Sequence, residues 1–334
     1  MLRRLSPRWL ILLTVVVLLL PSCSDTADDS SDTTLAPTTT TTIALTTTTS
    51  TAPTTTTTIA PTTVAESQAA TVTEKDLVYA TGAEGSLTLD MYAPVESNGA
   101  PFVIYLLGRG DPDAPKLVVD GLVEEGTIVF VAWPAGYGGP EQILSGHGAD
   151  IRAMADSVVC AIRFAREQAS ERDSTDPVVV LTGFGGAGGV AAHAALFGAT
   201  LEARWDEYAA EGGPPRQVEC EVTEGSTHVD ALVGMAGAYD IFVPIYDGMW
   251  GRAYQQEHDP ELWEFLSSSI GANSDLIVRL IHGTTDGSLP YEISAGFAPM
   301  LTDADYDVQV VAFDGGHWVP PELAVPTIME VIGP

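Results

Sequence analysis

The chain has 334 residues, with 14 lysines and arginines against 45 aspartates and glutamates, and a formal net charge of −31. A surface that acidic repels phosphate backbones and anionic lipid headgroups, which sets nucleic acid aside as a partner. Lysine occurs only at Lys75 and Lys116, and the charge reads as a solubilising surface rather than as the mark of a cationic partner.

Residues 1–22 read as an export segment. Arg3, Arg4 and Arg8 form a basic start, and Leu10 to Leu20 is apolar throughout except for Thr14. That run falls short of the roughly 20 residues a helix needs to span a bilayer. It closes on Leu20-Pro21-Ser22-Cys23, which resembles a bacterial lipobox, with Pro21 where a small residue is usual. The resemblance implies that Cys23 becomes the lipidated first residue and tethers the mature chain to the bacterial cell surface. Read instead as an ordinary secretory leader, the same segment still exports the protein. Losing its three arginines takes the net charge to −34.

Residues 23–73 are dominated by threonine, with the nonapeptide APTTTTTIA present twice, at 36–44 and 52–60. No apolar periodicity runs through them, so they predict a disordered, extended stalk, a substrate for O-glycosylation. At about 3.1 Å per residue in a polyproline-like form, some 50 residues reach up to roughly 150 Å.

From Glu74 onward about 260 residues have the composition of one globular domain with a large core. Short β-branched runs alternate with helical patterns, which predicts a mostly parallel sheet with helices on both faces. Eight strands are expected, near Leu77–Ala80, Ser86–Tyr92, Phe102–Leu106, Ile128–Trp133, Val178–Leu181, Ala231–Met235, Leu276–Ile281 and Val308–Phe313. In Asp150–Arg166 the residues Ile151, Met154, Ala155, Val158, Ile162 and Ala165 recur at helical spacing, so that face packs on the sheet, with Cys160 nearly opposite it. Two excursions, Gly198–His228 and Ile241–Ile270, exceed what a compact connection needs. The second carries Trp250, Tyr254 and Trp263, suited either to a cap over a pocket or to packing for stability alone.

The stretch VVVLTGFGGAGGVAAHAAL, Val178 to Leu196, reads as a buried strand, a glycine turn over 183–189 and a small-residue helix from Val190. Strand, tight turn and helix are the parts of a nucleophile elbow, whose common form GHSAGG lifts a serine to the top of a sheet. Laid over that form, the chain places Gly183, Phe184, Gly185, Gly186, Ala187 and Gly188, and Gly185 occupies the serine position. No serine, cysteine, threonine or aspartate lies between 183 and 189, and Ser145 follows no clear strand. Glycine takes positive φ without a Cβ clash, so Gly185 removes strain of roughly 1 to 3 kcal/mol that a nucleophile bears there.

With Cys23 acylated, Cys160 and Cys220 remain as a pair, and an oxidising compartment would hold them as a disulfide. The six histidines show no zinc-type spacing, so no metal site is expected, and no motif calls for a cofactor.

The order of elements from Leu77 to Val331 resembles the α/β-hydrolase fold, in particular secreted esterases and lipases of the acetyl-esterase type. His282-Gly283-Thr284-Thr285-Asp286, followed by Leu289-Pro290, is similar to the segment HGxxDxxVP, which implies Asp286 as the triad acid. Gly315-Gly316-His317-Trp318 is similar to the segment that supplies the triad histidine, which implies His317 as the base. In such a triad the histidine takes the serine proton and the carboxylate fixes the imidazole tautomer. Where the family often carries HGGG this chain has Leu107-Gly108-Arg109-Gly110, so the backbone N–H groups of Gly108, Arg109 and Gly186 are the candidate oxyanion donors. Arg109 either grips an anionic ligand or pairs with a nearby carboxylate.

The reading is therefore an exported, lipid-anchored esterase-like protein without ordinary serine hydrolysis, binding a small ester or acyl ligand or a partner in the old cleft. The alternatives are hydrolysis by water that His317 and Asp286 activate directly, and a purely structural role in the cell envelope.

Overall fold

The computed structural model describes residues 71–107, 113–136, 150–174, 177–242 and 260–333. Nine strands form one sheet, in the order β6-β1-β2-β4-β3-β5-β7-β8-β9. The strands are β1 (Thr71–Gly82), β2 (Gly85–Pro94), β3 (Phe102–Leu106), β4 (Ile128–Ala132), β5 (Val179–Phe184), β6 (Glu219–Cys220), β7 (Ala231–Met235), β8 (Ile277–Gly283) and β9 (Asp307–Phe313). The β1–β2 hairpin, β1–β6 and β2–β4 are antiparallel, and every pair from β4 to β9 is parallel. This is the mostly parallel α/β sheet that the alternation of runs predicts.

The central strands are apolar on both faces because both faces are covered. Helices α1 (Asp113–Glu124) and α7 (Pro321–Ile332) send Val119, Leu122, Ala324 and Ile328 against Val103, Val129, Val131 and Val180. The opposite face, with Ile104, Phe130, Leu181 and Leu280, packs against α2 (Ile151–Ser170), α3 (Gly186–Phe197) and α6 (Glu292–Asp303), while α4 (Leu201–Ala210) lies on α2 and α3, and α5 (Pro260–Ser267) adds Trp263 and Phe265 to the same core. Because β3 lies between β4 and β5, successive connections leave the sheet in opposite directions there. The carboxyl ends of β3 and β5 are thus the switch point at which ligands bind in sheets of this type.

Helix α2 begins where its side chains predict. Asp150 stands in extended conformation as N-cap and accepts from the Ala153 N–H at 3.0 Å, and the six expected core residues are buried.

The excursion Gly198–His228 folds into α4 and β6 and covers the far side of α2. Cys160, expected on an outer helix face, is thus wholly buried, and it is bonded to Cys220. The buried Arg152 guanidinium reaches Asp156 at 2.9 Å and Asp206 at 3.0 Å and lies over the Trp205 ring. Several expectations are corrected. The ninth strand, β6, is two residues long, too short for any pattern, and pairs with Ala80 and Thr81, its Cys220 bonded to Cys160. Strand β1 starts at Thr71, since Thr71–Thr73 pair with Tyr92–Pro94. The helix after the elbow starts at Gly186 rather than Val190, so the glycines are its first turn. Trp263 is buried in the core rather than offered to a pocket, whereas Trp250 and Tyr254 lie outside the described residues, as do Cys23 and the Thr-rich segment preceding Thr71.

Behind the elbow, His193 of α3 is wholly buried among Phe197, Trp205 and Phe265. Trp205 Nε1–H donates to its Nε2 at 3.1 Å, and burial lowers its pKa to about 3.

Two stability predictions follow from this packing. The Cys160–Cys220 bond closes a loop with a sequence separation of 60, for which the chain-entropy relation gives about 4 kcal/mol. The Cys160→Ala/Cys220→Ala double variant should lose roughly 2 to 4 kcal/mol in denaturant unfolding. An unfolded histidine gains a proton below its ordinary value of 6.5, whereas folded His193 resists until about 3. Its contribution is therefore complete above 6.5 and is lost as pH falls toward 3. Thermal melts should show that loss, and His193→Gln, which keeps an acceptor for Trp205 but does not protonate, should flatten it.

Candidate active site

The three positions expected to form a triad converge at the carboxyl end of the sheet. Gly185 sits between β5 and α3 with φ 58° and ψ −125°. Its N–H donates to Met235 O at 3.0 Å, and its carbonyl accepts from Gly188 N at 3.0 Å and Ala238 N at 2.9 Å. The backbone there has the positive φ of an elbow and is pinned on both sides. A Cβ at Gly185 would meet, among the described residues, only His317: Nε2 at 3.4 Å and Cε1 at 3.8 Å. There is room for a side chain at this position, and the space faces the imidazole.

The loops after β8 and β9 are joined. Thr284 N–H donates to Phe313 O at 2.9 Å and Thr285 N–H to Gly315 O at 3.0 Å, and the Thr285 hydroxyl adds a bond to Gly315 O at 2.9 Å. A Cβ on Gly283 would stand 2.2 Å from Gly316 O, so this approach requires glycine. The consequence is that Asp286, at the end of one loop, lies under His317, at the end of the other.

Asp286 has a wholly buried side chain. Its Oδ1 accepts from Ser288 N at 2.7 Å and Leu289 N at 3.0 Å, and its Oδ2 accepts from His317 Nδ1 at 2.7 Å. Burial works to raise its pKa, but the His317 bond and the two backbone N–H groups outweigh it and hold the carboxyl below its ordinary value. With Nδ1 donating to a carboxylate, the neutral imidazole has its lone pair on Nε2, the nitrogen that faces Gly185.

Two features of the site are not legible in the motifs. His282, wholly buried, approaches the same oxygen of the acid as His317, with Nε2 3.2 Å from Asp286 Oδ2 and 2.9 Å from Leu289 O. Its Nδ1 lies 2.7 Å from Ser294 Oγ, so the serine hydroxyl donates and Nε2 carries the proton. Ser294 is twelve residues away on α6, and only the fold brings it there. Phe184 stacks on Trp318 with centroids 4.8 Å apart and lies 4.6 Å from the His317 ring, so the variable residue of the elbow supports the base. Among the described residues no hydroxyl or thiol bonds to His317 Nε2.

Gly186 is the first residue of α3, so its N–H has no acceptor within the helix and lies at the positive end of the helix dipole. It can serve as an oxyanion donor. Gly108 and Arg109, the other expected donors, lie outside the described residues.

No protein-family model and no curated protein matches the chain. Solved structures do match. A truncated carbohydrate esterase from gut microbiota aligns with TM-score 0.55 and 18% identity over 80% of this chain and 97% of that one. Esterase 2 of Thermogutta terrifontis phosphorylated by paraoxon aligns with TM-score 0.52 and 17% identity over 77% and 92%. The thermophilic esterase Est2 of that organism with butyrate bound gives 0.51 and 18% over 78% and 90%. At such identities the likeness speaks for the fold: this chain has an α/β-hydrolase fold, and esterases are among its structural neighbours.

His282→Leu would leave the Ser294 hydroxyl and the Leu289 carbonyl without their partner. It should cost roughly 1 to 3 kcal/mol, measured as a lowered midpoint in urea unfolding.

Proposed function

We propose that the chain is an exported, lipid-anchored protein that has lost serine-based ester hydrolysis and keeps the cleft of an esterase for a small ester or acyl ligand. The observation that carries this reading is Gly185. The position that presents the nucleophile in this fold holds a glycine, in the elbow conformation, directly opposite a paired histidine and aspartate. Loss of a catalytic serine costs on the order of 10^6 in turnover, and neither Asp286 nor His317 supplies the missing oxygen. The retained elbow, acid, base and Gly186 N–H are the parts that recognise an acyl group whether or not a covalent step follows.

Export is supported by the basic, apolar segment ahead of Cys23 and by the Cys160–Cys220 bond, which belongs to an oxidising compartment. The lipobox-like sequence supports anchoring through Cys23, with the Thr-rich segment as the tether. A butyrate-bound esterase among the structural neighbours makes short acyl groups the first ligands to try.

Purified protein treated with a fluorophosphonate should show no labelling, and p-nitrophenyl butyrate should give no burst of p-nitrophenol. Gly185→Ser should introduce both labelling and a burst, because its hydroxyl enters the space facing Nε2. Labelling of the unaltered protein at any hydroxyl would overturn the proposal.

A further inference from the structure

We infer that the Asp286–His317 pair activates a water molecule in the space opposite Gly185, and that the protein thereby hydrolyses activated, uncharged acyl esters in a single displacement without an acyl-enzyme. The inference rests on the reading of the cleft as an ester-binding site and adds an activity to it.

The geometry defines the space. A Cβ at Gly185 would already be 3.4 Å from His317 Nε2, with nothing else within 4 Å but Cε1 of the same ring among the described residues. Glycine leaves that volume without a side chain, and among the described residues beyond the elbow itself Nε2 is the polar atom nearest it. A water a few tenths of an ångström nearer the ring than that Cβ position would come within the heavy-atom reach of about 2.6 to 3.2 Å that a general base needs. The base is oriented as it would be for a serine: Nδ1 is fixed by Asp286 at 2.7 Å, and the carboxylate is fixed by two backbone N–H groups and flanked by His282. The Gly186 N–H, at the start of α3, is adjacent for the developing oxyanion.

In the step proposed, the water oxygen bonds to the acyl carbon as its proton passes to His317 Nε2, and the carbonyl electrons move onto the oxygen facing Gly186. Collapse breaks the bond to the leaving oxygen, which takes the proton back from Nε2. Carboxylic acid and alcohol leave, and no other reactant is consumed. Water is a weaker nucleophile than a seryl oxygen, so leaving groups of the phenol kind are required. The chain's charge of −31 favours neutral esters over acyl phosphates.

General-base assistance is worth about 10^2 to 10^4. The purified protein should therefore hydrolyse p-nitrophenyl butyrate about 10^2- to 10^4-fold above buffer, with no burst, no acyl adduct by mass spectrometry and no inhibition by fluorophosphonate. His317→Gln should return the rate to background. Gly185→Ala, whose methyl fills the space, should do the same while still binding N-(4-nitrophenyl)butanamide, the amide of the same shape, by saturation-transfer NMR. Thermal melts of both variants establish that they are folded. Anilide binding without turnover above His317→Gln overturns this inference and leaves the binding function standing. An adduct on His317 overturns it in favour of attack by the imidazole, and failure of the protein to bind the anilide removes both readings.

Discussion

The arrangement depends on a carboxylate that stays ionised while shut away from water. A buried carboxyl takes up a proton unless donors compensate its charge, and Asp286 has them at 2.7 and 3.0 Å on one oxygen and 2.7 Å on the other. Those donors come from two separate loops, and the loops meet only because Gly283 presents no Cβ to the carbonyls of Gly315 and Gly316. A backbone approach thus decides a protonation state, which in turn decides the tautomer of His317 and the direction of its lone pair. His282, held by Ser294 and Leu289, lies 3.2 Å from the same oxygen that His317 engages and adds a second imidazole beside the acid.

The elbow obeys a different constraint. Gly183 and Gly188 are needed for space: a Cβ on the first would lie 2.6 Å from Ala187 O, and one on the second 2.9 Å from Gly237 Cα. Gly185 is not needed in that sense. Its surroundings admit a side chain, and only the positive φ makes anything larger than hydrogen costly there. Catalytic elbows accept that cost in exchange for the nucleophile. In this chain the backbone path remains and the cost has gone, because three backbone hydrogen bonds to Gly185 hold the turn without help from a side chain.

Much of this was legible from local pattern. Central strands apolar on both faces and the periodicity of α2 are short-range signals that the structure places as read, and the motifs around Asp286 and His317 are equally local, their side chains lying 2.7 Å apart. Signals that depend on distant partners were silent. Strand β6 has two residues, one of them Cys220, whose disulfide partner Cys160 is sixty positions away; His282 is one letter in a motif until Ser294 reaches it from α6. The helix start at Gly186 was hidden because four small residues in a row read as a turn, although at the top of a parallel sheet their size lets α3 pack closely on β7. Trp263 suited a cap or packing equally, because aromatic content alone does not distinguish a lid from a core, and burial decides for packing.

Retention of the acid–base pair without its nucleophile bears on what the cleft is for. If the fold alone mattered, burying Asp286 would be a liability, since an apolar residue at that position needs no compensation, and the two loops are already joined through Thr284 and Thr285. The same holds for His317, which is partly exposed and, among the described residues, hydrogen-bonds to that acid. The pair stabilises little that its surroundings do not already secure, and its acceptor nitrogen, His317 Nε2, faces the position of a Gly185 side chain. An imidazole held in one tautomer toward that position is an arrangement for handling a proton or accepting a hydrogen bond, and with only a hydrogen atom at position 185 the elbow itself supplies no donor to it.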